Sequence, residues 1–371
     1  MATVDTPESA PPASSEAEPF HRSASRRYLR TIASVCVTML VVVVMAVLYL
    51  GQPVLLPLAT ALLLSFLLRP IARRLQRWHV PLPASAFLLV SLFAGILGLG
   101  IYSLGGPASE WLKDAPLALR QLQYRIADMK GSIEEVKQAT QEVEKLGKVG
   151  ERETPAVVVK GGDLSDTLLL QTQEAAVGMF TTLILLFFIL GWGERLYRNV
   201  VNTLPRFHNQ RQVVEIAQEI EDSVTKYLTT ITVINLTLGV VVSGAMYVME
   251  VPNPVLWGVV AALFNYVPYL GPAVTAVILG FVALLTFEGI GEALLVPAVF
   301  LTITSLEGYV ITPLAVGSRL TLNPLIIFLS LVFWFWMWGI VGSLLTVPIL
   351  VCIKVTLDRV GTQKTLARVL D

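Results

Sequence analysis

Residues 251–286 read VPNPVLWGVVAALFNYVPYLGPAVTAVILGFVALLT, a stretch apolar enough for a bilayer that cannot run through it as one straight helix. Asn265, Tyr266, Pro268, Tyr269, Gly271 and Pro272 divide it into two apolar halves. Each half is about 13–15 residues long, whereas a straight span needs about 20. A broken helix leaves backbone N–H and C=O groups without intrahelical partners. Hydrocarbon tolerates that only where the break is buried in protein or lines a wet cavity. Short apolar segments interrupted by Pro and Gly therefore point to a transport site.

The rest of the chain supplies the membrane setting. Of its 371 residues 54% are hydrophobic and 15% charged, against about 25% charged in soluble domains. The predicted fold is an all-α polytopic integral membrane protein. It has about eight membrane helices, two of them broken or re-entrant hairpins, and amphipathic helices outside the bilayer. The formal net charge of zero gives no footprint for nucleic acid. Cys36 and Cys352 lie in apolar runs and suggest no disulfide framework.

Arginine clusters orient the spans by the positive-inside rule. Residues 1–29 read as a disordered cytoplasmic N-terminus that is not a signal peptide. Arg22, Arg26, Arg27 and Arg30 precede the first run, 31–50, and Arg69, Arg73, Arg74 and Arg77 follow the return run, 54–68. A third span, about 82–104, ends at Gly105-Gly106-Pro107, which completes a first group of spans over 30–104. Residues 105–166 are charged and amphipathic and fall outside the cell. The next span lies within 167–193, with Glu174 near the outer interface; 194–228 form a cytoplasmic helical segment. A core follows over 229–356 with hairpins 254–286 and 322–353, and then a cytoplasmic tail, 357–371.

Residues 322–353 are too long for one crossing and end in Lys354 and Arg359, so they are predicted to turn back at Gly339, Gly342 and Ser343. Both hairpins open on Asn-Pro, at Asn253-Pro254 and Asn323-Pro324, which fits either an inverted repeat or a chance match of one dipeptide in apolar filler.

Within this frame the candidate pathway residues are Asn265, Tyr266, Tyr269, Gly271, Glu307, Arg319 and Asn323. Asn265 offers an amide at the break, although it would equally cap a half-helix, and the tyrosines would equally sit at an interface. Glu307 lies within a span, about 293–313, where an ionisable group costs at least about 2.5 kcal/mol and usually marks a pathway or an ion pair. Arg319 would pair with Glu307, bind an anion, or anchor the chain at the cytoplasmic face. Pro268, Pro272, Pro313, Gly317, Pro324, Gly339 and Gly342 are the predicted breaks and hinges. Trp334, Trp336 and Trp338 read as packing against lipid or a neighbouring subunit. Apolar spans without Asp, and the lack of G-x-S-x-G, H-E-x-x-H and G-x-x-x-x-G-K-[ST], argue against an enzyme, a metal site, a cofactor or nucleotide hydrolysis. Movement of a small polar solute or an ion, driven by a gradient through alternating access, is the leading reading. A non-transporting scaffold or regulator, or a channel, is the rival.

Three stretches carry a family resemblance: PVLLPLATALLLSFLLRPIARRLQ, NPVLWGVVAALFNYVPYLGP, and LEGYVITPLAVGSRLTLNPLIIFLSLV continuing through GIVGSLLTVPILVCIKV. The chain resembles the autoinducer-2 exporter (AI-2E, or PerM-like) family over roughly residues 30–360. The resemblance implies a multi-pass permease of the bacterial inner membrane, a homo-oligomer whose partners are lipid and a small solute. It implies export of a signal such as autoinducer-2, or cation/proton antiport. The family's motif residues fall on Asn265, Pro268, Tyr269, Gly271, Pro272, Glu307, Pro313, Gly317 and Pro324. Asn323 stands where many relatives carry His, and Asn does not titrate.

Overall fold

The computed structural model describes residues 18–141, 164–203, 207–316 and 323–360. Among them there are helices and turns but no strand. Ten α-helices follow in chain order: α1 (Glu18–Leu50), α2 (Gln52–Arg77), α3 (Leu82–Gln141), α4 (Leu164–Asn202), α5 (Phe207–Val248), α6 (Pro254–Phe264), α7 (Leu270–Thr286), α8 (Ile290–Leu306), α9 (Thr312–Val316) and α10 (Pro324–Val360). A π-helical turn, Glu307–Ile311, joins α8 to α9. Seven helical stretches among the described residues are long and apolar enough to cross a membrane. Helices α6 and α7 are apolar but shorter.

Residues 1–52 form a unit of their own. None of the residues of its apolar stretch Ile32–Leu50 is buried. A stretch of nineteen mostly apolar residues with none of them buried needs an apolar solvent, and a bilayer supplies one.

The second unit, residues 53–371, packs around three clusters. The largest joins Leu238, Val242 and Met246 of α5 to Leu256, Trp257 and Ala261 of α6, Leu279 and Val282 of α7, and Val296 and Phe300 of α8. A second joins Ala61 and Ala72 of α2 to Leu89 of α3 and Leu186 of α4, and a third joins Val224 of α5 to Val347 and Val351 of α10. In lipid, helices associate through small residues that let backbones approach. Gly239 and Ser243 of α5 do this against Gly258 and Ala262 of α6. A Cβ on Gly258 would lie 1.9 Å from Ser243 Oγ and 2.4 Å from the Gly239 carbonyl oxygen.

The broken stretch 254–286 is two helices of 11 and 17 residues separated by residues 265–269. Helix α10 is also interrupted, because Gly339 takes φ 64° and ψ −148°. Beyond it the chain doubles back, since a Cβ on Gly342 would stand 2.2 Å from the Trp334 carbonyl oxygen. Residues eight apart in a straight helix are about 12 Å apart. The 35 residues of Pro324–Asp358 are therefore not one straight rod.

Two features differ from the sequence expectation. Gly105-Gly106-Pro107 does not end a helix, because α3 continues through it for 60 residues to Gln141. Pro removes one backbone donor, and a helix tolerates that loss where local adjustment satisfies the freed carbonyl. The second difference concerns the Asn-Pro starts, which are alike in sequence but not in geometry. Asn253 adopts a left-handed backbone with no side-chain cap. Asn323 accepts the Leu325 N–H at Oδ1, 3.0 Å away, as an ordinary N-cap.

Candidate functional site

Pro268 and Pro272 cannot donate to a helical ladder, and each disfavours helical geometry in the residue before it. The chain satisfies the break locally. The Val267 N–H bonds the Phe264 carbonyl at 2.9 Å, and the Leu270 N–H bonds the Pro268 carbonyl at 2.7 Å. The latter closes a three-residue turn around Tyr269, whose φ of 63° and ψ of −52° are those of the rare, strained γ-turn. Gly271 is required by contact, since a Cβ there would meet the Phe264 carbonyl oxygen at 1.8 Å. Tyr269 is exposed and Gly271 buried.

This folding delivers Asn265 to the end of α6, facing α5 and the π turn. Its amide nitrogen donates to Asn235 Oδ1 at 2.9 Å and, at 3.4 Å, to Glu307 Oε2. The other carboxylate oxygen of Glu307 accepts a hydrogen bond from the Thr312 hydroxyl. Glu307 is only 7% exposed, and among the described residues it has no cationic partner. Asn235 is 1% exposed, and its own amide nitrogen has no acceptor among the described residues. One helical turn earlier on α5, Thr232 accepts the hydroxyl of Tyr266 at 2.8 Å. The site is therefore a buried carboxylate held by neutral donors, with an unused donor beside it.

The π turn explains how Glu307 and Thr312 meet. Residues five apart on an α-helix point about 140° away from each other. Here the Thr312 N–H bonds the Glu307 carbonyl, five residues back, which widens the turn and brings both side chains to one face. Pro313 follows directly and has no N–H for an α-type bond to the Tyr309 carbonyl, which favours the irregularity. Such π turns occur frequently at functional sites.

Of the predicted pathway residues, the structure joins Asn265 and Glu307 directly and holds Tyr266 beside them through α5. Tyr269 and Gly271 shape the break. Asn323 caps α10 and has no hydrogen bond to the cluster. Arg319 and Gly317 lie outside the described residues, and with them the suggested Glu307–Arg319 pair. Pro324 is the first residue of α10, and Gly339 and Gly342 form its turn. Trp334 and Trp338 pack at 4.9 Å between ring centroids, with Trp336 exposed. Glu174 is exposed, as expected. Lys354, expected as a marker of the membrane edge, is 8% exposed. Asn235 and Thr312 were missed. A lone amide in the apolar run after Leu228 was the available signal for Asn235, whereas Thr312 needed the π turn.

A multi-pass helical bundle with a buried carboxylate at a helix break is the architecture of a membrane transporter. Comparison with known proteins agrees. The AI-2E family transporter profile matches residues 38–361, and the chain belongs to that family. It is 28% identical over 335 residues to the AI-2 transport protein TqsA of Escherichia coli, covering 90% of this chain and 93% of that one. It is 26% identical over 313 residues to YueF of Bacillus subtilis, covering 80% of this chain and 82% of that one. YhhT of Escherichia coli is 36% identical over a shorter stretch of 135 residues, 36% of this chain and 38% of that one.

Proposed function

We propose that this transporter moves a small polar solute or an ion past the Asn235–Asn265–Glu307–Thr312 cluster by gradient-driven alternating access. The observation that carries the reading is the burial of Glu307 beside a broken helix, where Asn265 and Thr312 bind the carboxylate without neutralising it. An ionisable group is expensive in that setting, and use by a cargo or a proton accounts for its presence. The chain acts as a multi-pass permease of a bacterial inner membrane with both termini in the cytoplasm, as its arginine clusters indicate, and it works as a homo-oligomer rather than as an enzyme. TqsA is named for AI-2 transport, and a polyhydroxylated solute of that kind suits amide and carboxylate partners. Cation/proton antiport is the second reading. It is favoured by the same carboxylate, whose hydrogen-bond partners among the described residues are all neutral and which offers oxygen ligands to a cation.

Flux into vesicles reconstituted with the purified chain, with and without a proton or sodium gradient, tests both. Glu307→Gln keeps shape and hydrogen bonding but cannot ionise. It should insert and fold normally while flux falls at least about tenfold, the scale of losing 1.4 kcal/mol of binding, or loses its pH dependence. Asn265→Ala should lower flux without moving the pH profile. Parental flux in both variants refutes the pathway.

A further inference from the structure

A second polar site lies away from this centre, between the end of α2 and the middle of α5. Arg69, Arg73 and Arg77 recur every four residues and so share one stripe of α2, with Arg74 beside it. Glu221 of α5 forms an ion pair with Arg69 and a second, at 2.9 Å, with Arg73. These four arginines, with Glu221, Asp222 and Thr225, line an open cleft of about 400 Å³. Thr225 fixes the wall by donating its hydroxyl to the Phe66 carbonyl at 3.3 Å. Four guanidinium groups thus face two carboxylates. Glu221 is engaged by Arg69 and Arg73, while Arg74 and Arg77 have no acidic partner among the described residues.

We propose that this cleft binds a phosphate-bearing anion, seated chiefly by Arg74 and Arg77 and supplied by the headgroup of an anionic phospholipid. Guanidinium groups match phosphate oxygens with paired donors. Basic pockets between membrane helices are a recurrent setting for anionic headgroups. The position fits a lipid. The cleft begins where the apolar run of α2 gives way to arginine, and exposed Leu58 and Leu62 on the same helix leave an apolar surface for acyl chains. Trp78, 80% exposed next to Arg77, is a residue type that collects at membrane interfaces. The Glu221 bridge holds Arg69 and Arg73 in place and leaves the outer two guanidiniums for the ligand.

The test uses the full chain in neutral detergent with equimolar phosphatidylglycerol and phosphatidylcholine, reading retained lipid by native mass spectrometry and unfolding temperature in parallel. The parent should retain phosphatidylglycerol preferentially. Arg74→Gln/Arg77→Gln should weaken that retention by about tenfold or more, the scale of two basic side chains at an anionic surface, with the unfolding temperature in neutral detergent unchanged. Lys113→Gln, which removes an exposed cation on α3 that does not line the cleft, should leave retention intact. In a second arm inorganic phosphate replaces the lipid. Stabilisation of the parent by phosphate, lost in the double variant, supports the site and identifies a free anion as its source. If the double variant retains phosphatidylglycerol like the parent and phosphate has no effect on either protein, the cleft is not an anion site.

Discussion

Asn235 and Tyr269 set the energetics of the candidate centre in different ways. Asn235 Nδ2 is a buried donor without an acceptor, a condition worth about 1–3 kcal/mol against folding. Asn235→Leu removes that orphan and also one of the two acceptors of Asn265. Stability measured by thermal unfolding should change little, while flux falls as it does for Asn265→Ala; parental flux would exclude Asn235 from the pathway. Tyr269 holds a positive φ that a side chain adopts only under strain, about 1–3 kcal/mol. Tyr269→Gly should raise stability by about 1 kcal/mol, since glycine relieves the strain but has more unfolded freedom to lose. Lower transport in the same variant would mark the exposed ring as part of the path. Glu307 and Asn265 were legible in sequence because a polar group in an apolar run is conspicuous. Thr312 was not, because its place beside Glu307 depends on a π turn and hence on how the carbonyls around Pro313 find partners.

At the scale of elements, the break between α6 and α7 was legible because Pro268 and Pro272 act through covalent geometry, whatever surrounds them. The turn at Gly339 was legible from the length of the apolar run, which exceeds what one straight span needs. The continuity of α3 was not, because Gly105-Gly106-Pro107 weakens a helix without deciding whether neighbours or solvent compensate. The close contact of α5 and α6 depends on Gly258, whose missing Cβ lets Ser243 and the Gly239 carbonyl approach. Gly258→Leu should separate the helices and destabilise the protein by about 1–3 kcal/mol or more, as overpacking does. Asn265 rides on the end of α6, so flux should fall together with the unfolding temperature. A variant with parental stability would show that this contact yields easily.

For the whole molecule, the proposed topology requires α10 to enter and leave on one side of the membrane. The reversal at Gly339 makes that geometry available, and the positive-inside rule, applied to the basic residues on either side of residues 322–353, predicts that both ends face the cytoplasm. Single cysteines at Ser318 and Thr356, in a background with Cys36 and Cys352 replaced, should react with an impermeant thiol reagent only after the membrane is opened. A third cysteine at Ile340, 68% exposed beside the turn, should be shielded from the aqueous reagent if the hairpin ends within the bilayer, and should react from outside if α10 crosses fully before returning. Reaction of Ser318→Cys and Thr356→Cys from opposite sides would require an odd number of crossings between them. That result would invalidate the hairpin and reverse the side assigned to whichever of the two positions reacts from outside.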